Sequence, residues 1–485
     1  MKTIQSLEPQ NLWKNFHALT LVPRPSGLLQ PIQQFLTQFA TDLKLENFID
    51  EIGNVIVRKP ASAGMENRKI VTLQAHMDMV PQKNNDKEHD FQKDPIQTVI
   101  DGDWVRADGT TLGADDGMGV AAMMCVLEDD TLKHGPIEAI FTCDEETHMV
   151  GAFAIKAETI TGEILLNLDS EDEGELYIGC AGGSDLTATL HYKEIEPEKE
   201  DIALKINLKG LRGGHSGLEI NQGRANANKL LVRFLREAVA SYEARLVSWV
   251  GGNMRNAIPR EATAVLTIPA ENEAELIDLV AYCEKLFNEE FKGIETPVSF
   301  TAERVELPAG QVPAEIQDNL IDAIFACRNG VLRNITDIPD TVETSSNLGI
   351  VEIGAGKAMA TILVRSSCDS MKEYLTTSLE CCFSMAGMKI EISGSYSGWQ
   401  PNVESPILHA MKDSYKKQFG VEPAVKVIHA GLECGIIGAI KPGMDMISFG
   451  PTLRSPHSPA ERVFIPSVDK FYKFLVATLE QTPIK

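Results

Sequence analysis

The sequence predicts an α/β protein in which a second α/β domain is inserted into the first. Apolar, β-prone runs alternate with helix-period stretches through the opening part of the chain. Several of those runs end in His, Asp or Glu, the residue types that collect at the carboxyl edge of an α/β sheet, where ligands bind. Between about 184 and 394 the texture changes to longer amphipathic helices and polar-edged strands, then returns to the first type. At 485 residues the chain is also too long for one ordinary core.

Composition narrows the class. The chain is 43% apolar and 24% charged, without a low-complexity tract, as expected of a globular protein. Lys and Arg number 45 against 69 acids, a net charge of −24, which argues against nucleic-acid or anionic-membrane partners. The first residues, MKTIQSLEPQNLWKNF, lack the basic and apolar regions of an export signal. No apolar run reaches the roughly 20 residues of a membrane span. The nine cysteines are scattered and form no CxxC pair, so they read as reduced residues of a cytoplasmic protein.

In chain order, residues 31–45 place Ile32, Phe35, Leu36, Phe39 and Leu43 on one helix face. Residues 46–60 read as a strand pair turning at Gly53-Asn54. The run IVTLQAHMDMV (70–80) reads as a strand whose end carries His76 and, two places on, Asp78 on the same face. TTLGADDGMGVAAMMCVLED (110–129) gives a glycine turn, Asp115 and Asp116 at a helix start, and an Ala/Met-rich helix. One acid there is explained as a cap; the second is left to face outward. Strands follow over 136–146, ending in Asp144, Glu145 and Glu146, and over 163–180, with Asp169. Near the C-terminus, 444–459 predicts a strand and then a loop bearing His457.

The inserted region opens with a strand at 201–210 and the loop LRGGHSG, carrying His215. Helices are expected over 228–242, 274–287 and 313–330, the last stopped by Gly330. Residues 350–367 predict a hairpin turning at Gly354-Ala-Gly-Lys.

His76, Asp115, Glu146, Asp169 and His457 form a mixed nitrogen and oxygen donor set. Such a set favours Zn²⁺, Mn²⁺ or Co²⁺ over Ca²⁺ or Mg²⁺. Five donors exceed what one catalytic zinc takes from protein, and they suit two metals if one carboxylate bridges. A metal pair can share a hydroxide and clamp a tetrahedral intermediate. Glu145, beside Glu146, is then placed as general base, and Asp78 can orient His76 through its other ring nitrogen.

The motifs HMDMVP, GADDGMGVA, LDSEDEGE, GGHSG, RNAIPREA, VRSS, GWQP, HAGLECG and SPHSP, with the Glu145-Glu146 pair, resemble the aminoacyl-histidine (Xaa-His, carnosine-cleaving) dipeptidases of the di-zinc exopeptidase clan. The resemblance covers nearly the whole chain in order. It implies a catalytic domain of central mixed sheet and flanking helices, built from 1–183 and 395–485, around a lid and dimerisation domain, 184–394. It implies two divalent metals per chain, zinc foremost: one held by His76 and Asp169, the other by Glu146 and His457, with Asp115 bridging. Glu145 matches the family's general base and Asp78 its metal-side aspartate. His215 matches the lid histidine that polarises the scissile carbonyl, often from the neighbouring subunit. Asn256 and Arg365 match substrate-holding positions, the Arg suited to a C-terminal carboxylate, and Glu433 is expected to wall the pocket. The implied partners are a small peptide substrate and a second copy of the chain in a homodimer.

The expected activity is metal-dependent hydrolysis of Xaa-His dipeptides, including β-alanyl-histidine. The alternatives are a broader di- or tripeptidase, an N-acyl-amino-acid deacylase of the same clan, and a non-catalytic peptide-binding relative. Related enzymes often carry Asn where this chain has Asp116, which changes local charge but not the expected ligand set.

Overall fold

The computed structural model describes residues 3–485. The chain forms two compact units: one comprises the chain to Gly179, Trp399–Val427 and Leu432–Lys485, the other Cys180–Gly398 and Ile428–Gly431. The second unit is therefore an insertion that also takes up a four-residue piece from the returning chain.

The first unit is built on an eight-stranded mixed sheet. Its strands are β1 (Glu46–Ile49), β2 (Val55–Lys59), β3 (Val71–His76), β4 (Ile137–Thr142), β5 (Ile164–Asn167), β6 (Glu175–Cys180), β7 (Ala424–Ile428) and β8 (Asp445–Ser448). Their spatial order is β1-β2-β4-β3-β5-β8-β6-β7. Every residue of β3, β4 and β5 is buried, as expected of strands covered on both faces, and this is why they read as unbroken apolar runs. β3 runs parallel to β4 and β5, and β8 parallel to β5. In register, His76 stands opposite Thr142, Gln74 opposite Asn167, and Asn167 opposite Ser448. The carboxyl ends of four strands therefore emerge at one edge of the sheet.

Helices α1 (Gln10–Thr20), α2 (Gln30–Asp42) and α3 (Ala114–Glu128) belong to this unit. α3 is apolar all round and buried from Ala114 to Leu127, packed between α1 and β3. The segment that carries His457 joins two short strands, Leu453–Arg454 and Arg462–Phe464, which pair with each other. The second of these pairs in turn with Trp104–Ala107. A loop closed by a hairpin is thus anchored at both ends.

The second unit has a nine-stranded sheet, all of whose pairings are antiparallel. Its helices are Ala227–Tyr242, Glu273–Glu290, Ala314–Ala326 and Asp369–Met385. Trp249, Phe234, Phe287, Phe300 and Phe383 fill its core, with Phe300 meeting Phe234 and Phe287 edge-on at 5.1 and 5.9 Å. The hairpin turns where expected, with Gly354 opposite Lys357. Gly330, however, does not end a helix. The helix stops at Ala326, capped by Cys327, and Gly330 (φ 93°) opens the strand Gly330–Asn334. A left-handed glycine serves either purpose, and only the chain path distinguishes them. Among the described residues no helix is long and apolar enough to cross a membrane.

Candidate metal centre

At the carboxyl edge of the first unit's sheet, two histidines converge on one carboxylate. His76 Nε2 lies 3.0 Å from Asp115 Oδ1, and His457 Nε2 lies 3.1 Å from Asp115 Oδ2. Asp169 Oδ1 is 3.5 Å from the same His76 nitrogen, and Glu146 Oε2 is 3.0 Å from the same His457 nitrogen. The five residues thus sort themselves into two half-sites, each with one imidazole and one terminal carboxylate, and Asp115 turns one oxygen to each.

Local structure explains how each side chain arrives. His76 ends β3, and Asp169 stands two residues beyond β5. Glu145 and Glu146 open a four-residue helix entered from Asp144 in the left-handed region (φ 49°), which turns the chain sharply off β4. His457 is itself left-handed (φ 57°), a conformation uncommon for non-glycine residues that here turns its loop. Asp115 and Asp116 fall within the first turn of α3 yet have non-helical dihedrals. Asp116 takes the cap, its Oδ1 accepting from Gly119 N at 3.1 Å, and Asp115 is the acid left to face the histidines.

The electrostatics match a cluster built for cations. Hydrogen bonds to Asp115 and Glu146 push His457 up to about 11 despite some burial. Burial alone would lower His76, but Asp169 and Asp115 outweigh it and raise it well above its ordinary value. Burial, aided by Asp115 and Glu146, lifts Asp169 to about 6. Burial and the nearby Asp115 and Asp169 raise Glu171 to about 7. So many acids within one edge are stable together only with positive charge among them. Ligand atoms of His76, Asp115 and Glu146 all lie within 4.8 Å of one another, and imidazole with carboxylate is a donor set that suits a borderline divalent ion. The residues present fit the metal chemistry expected of them.

Asp78 does more than the expected orientation of His76. Its carboxylate comes within 3.5 Å of His76 Nδ1, which is also 3.2 Å from the main-chain oxygen of Asp78. The same carboxylate accepts from Ser26 Oγ at 2.8 Å, Glu145 N at 3.1 Å and Glu146 N at 3.3 Å. It therefore ties the β3 end to the turn that presents the two glutamates. Glu145 is half-buried, and burial with the neighbouring acids Asp169, Glu433 and Glu146 raises its carboxyl well above the usual range.

Glu433, expected at a pocket wall, has no exposed surface. Its Oε2 accepts from Gln74 Nε2 at 2.6 Å and Thr142 Oγ1 at 2.7 Å, beneath the strand ends. The position rests on tertiary burial that the HAGLE loop's sequence does not reveal. His148, at the end of the same short helix as Glu145 and Glu146, is exposed.

The other expected residues lie in the second unit. Residues 214–215 pair with 257–258, so the GGHSG and RNAIP motifs adjoin, and Ser216 N donates to Asn256 O at 2.9 Å. His215 Nδ1 accepts from Gly217 N at 3.2 Å and Leu218 N at 3.1 Å, which leaves Nε2 to carry the proton of the neutral ring. Burial and the charge of Arg365 lower His215 to about 4. Arg365 is itself 6% exposed, its Nε 3.5 Å from Ser216 Oγ. His429 joins this group: Nε2 lies 2.7 Å from Ser345 Oγ, and burial with Arg365 depresses it to about 3. Sequence reading placed His429 only as the start of the HAGLE loop at the pocket wall, and it missed Ser26, Arg24 and Glu461. Of these, Arg24 left a trace in the paired glycines of GADDG, whose Cβ positions its guanidinium fills.

A mixed sheet carrying two His-carboxylate half-sites at its edge, with a separate antiparallel α/β unit inserted, defines a metal-dependent hydrolase. The comparisons with known proteins make this specific. The model of peptidase family M20/M25/M40 matches residues 72–481. The cytosol non-specific dipeptidase of Escherichia coli (strain K12) is 43% identical over the whole of both chains. The crystal structure of aminoacylhistidine dipeptidase from Vibrio alginolyticus superposes with a TM-score of 0.95 at 45% identity, covering 100% of this chain and 99% of that one. Aminopeptidase PepT from Bacillus cereus, at 17% identity and a TM-score of 0.57 over 98% of this chain and 99% of its own, shares the fold. The chain belongs to peptidase family M20/M25/M40 and is a metallopeptidase. The resemblance drawn from its motifs holds along the full length.

Proposed function

We propose that the protein is a cytosolic dipeptidase that hydrolyses Xaa-His dipeptides, β-alanyl-histidine among them, with two divalent metals per chain. The observation that carries the two-metal reading is Asp115, whose oxygens each address a different histidine at 3.0 and 3.1 Å. His76 and Asp169 would hold one ion and Glu146 and His457 the other, with Asp115 shared and zinc the first choice. When bound, such a pair supplies Lewis acidity to the scissile carbonyl and lowers the pKa of an attacking water.

The chain's own residues do the rest. Glu145 accepts the proton of the attacking water and returns it to the departing amine, so that one carboxyl serves as base and then acid. Asp78 keeps Glu145 in place through its main-chain bond and holds the His76 ring. Arg365 pairs with the dipeptide's C-terminal carboxylate, and Asn256 helps to hold the substrate. His215 presents its Nε2–H to the carbonyl oxygen as charge develops there. The protein works as a homodimer joined through the inserted unit. If His215 acts from the partner, mixing His215→Ala with Glu145→Gln subunits should restore part of the activity in verified heterodimers; no recovery would favour its acting within one chain.

The histidine preference rests on similarity to the Vibrio alginolyticus aminoacylhistidine dipeptidase. The name of the Escherichia coli relative, a non-specific dipeptidase, supports a second reading in which the side-chain preference is broad. A panel of carnosine, Xaa-His, other dipeptides, tripeptides and acylated amino acids, run with metal analysis, separates them. Poor cleavage of every Xaa-His substrate beside efficient cleavage of acylated amino acids would overturn the dipeptidase assignment.

A further inference from the structure

Glu461 is 2% exposed, and both of its oxygens are spent on one stretch of main chain. Oε2 accepts from Leu112 N at 2.7 Å and Gly113 N at 2.9 Å; Oε1 accepts from Ala114 N at 2.7 Å and Asp115 N at 3.1 Å. Four consecutive amides thus close on one carboxylate that stands four residues after His457. Arg24, also 2% exposed, grips the same stretch from the other side. Its Nη2 donates to Gly113 O, and its Nη1 to Met77 O at 3.1 Å and Asp78 O at 2.9 Å.

The glycines of GADDG record this grip. A Cβ at Gly113 would stand 2.6 Å from Arg24 Nη2, and one at Gly117 2.5 Å from it. The guanidinium therefore occupies the space that side chains at those positions would need. Ordinary helix capping does not account for Glu461. Asp116 already caps α3, and the four amides belong to residues at and before the non-helical Asp115. A buried carboxylate with four amide donors and a cation close by is a fixed, compensated charge, and removing it strands all four donors.

We infer that Glu461, with Arg24, is a positioning residue for the metal centre: it locks the main chain of Asp115 to the His457 loop, and Arg24 locks the same chain to the His76–Asp78 end of β3. Partners of this outer kind decide how well donors meet a metal. The inference rests on the reading of Asp115, His76 and His457 as ligands. The same helix provides the control. At the other end of α3, buried Lys59 donates to Val126 O, Leu127 O and Asp129 O, far in sequence from any donor of the site.

The test is competition for Zn²⁺ between the full-length protein and a chromogenic chelator, with thermal melts of each variant. Glu461→Gln keeps shape and one acceptor oxygen but turns an amide N–H₂ toward the backbone donors. Its Zn²⁺ affinity should fall by about 10- to 100-fold, and added metal should recover part of its activity. Lys59→Met should lower Tm while leaving affinity within about twofold, since it loosens the helix only at its far end. A folded Glu461→Gln that binds Zn²⁺ as the wild type does would overturn the inference, as would Lys59→Met weakening binding equally. If Glu461→Gln does not fold, Glu461→Asp decides: weaker binding at an unchanged Tm supports positioning, and a lowered Tm with unchanged binding refutes it. A wild type that binds no Zn²⁺ would instead refute the ligand reading itself.

Discussion

The metal cluster of the first unit and the His215–His429 group of the second hold their histidines in opposite electrostatic states. At the sheet edge of the first, His457 is driven up to about 11 by Asp115 and Glu146. In the second, burial and Arg365 drive His215 down to about 4 and His429 to about 3. One residue type is thus made to attract protons in one place and to refuse them in the other. The difference lies entirely in the neighbours: carboxylates in the first case, an apolar setting with a guanidinium in the second. A cluster with surplus acid is a place for cations. A cluster with a fixed Arg and neutral imidazoles suits an anion instead.

The largest blow to this contrast should come from its acidic side. Asp115→Ala removes the carboxylate between the two histidines, so metal content and hydrolysis should both collapse; a variant retaining both would break the two-half-site reading. Next in size is Glu145→Gln, expected to cut kcat by about 10²- to 10⁴-fold while metal content stays intact. Unchanged turnover there would refute its proton-carrying role.

On the basic side, Arg365→Lys should weaken productive binding by about 1–3 kcal/mol, because a lysine cannot make the forked pair with a carboxylate. The loss should appear as a raised KM, and it should vanish for C-terminally amidated dipeptides. Equal losses with amidated and free peptides would remove the carboxylate from the argument.

The smallest effect concerns pH. His429 takes up its proton near pH 3 when folded and near 6.5 when unfolded. Below about 6.5 the unfolded chain therefore binds the proton first, and stability falls as pH drops toward 3. His429→Asn should lose about 1 kcal/mol at pH 7.5 with the Ser345 bond. It should also flatten the acid slope by up to about 1.4 kcal/mol per pH unit. Melts of metal-saturated protein across pH 4.5–7.5 measure both. Parallel curves for the two proteins would show that His429 does not titrate as its surroundings imply.

Much of the site was legible because its signals are local. An unbroken apolar run marks a strand buried on both faces, and the residue just past its end marks the sheet's ligand edge. His76, Glu146, Asp169 and His457 were all visible that way, and the structure brings them together around Asp115. Glu433 was not legible: HAGLE gives no sign that its carboxyl turns inward to Gln74 and Thr142. Gly330 was misread for a related reason, since a left-handed glycine ends a helix and opens a strand equally well.

Residue order alone determined the α/β class, the inserted unit and the donor types at the strand ends, because strand period, helix period and capping chemistry act over a few residues. Only the tertiary structure showed how Asp115 is left free for the histidines, with the neighbouring Asp116 spent on the amide of Gly119. It alone decided, too, which histidines stand among carboxylates and which stand buried beside Arg365. It also brought Glu461 to the amides of residues 112–115, across as many as 349 positions of chain. Burial and charge at a point in space depend on every segment that packs there, and no short window of sequence contains them.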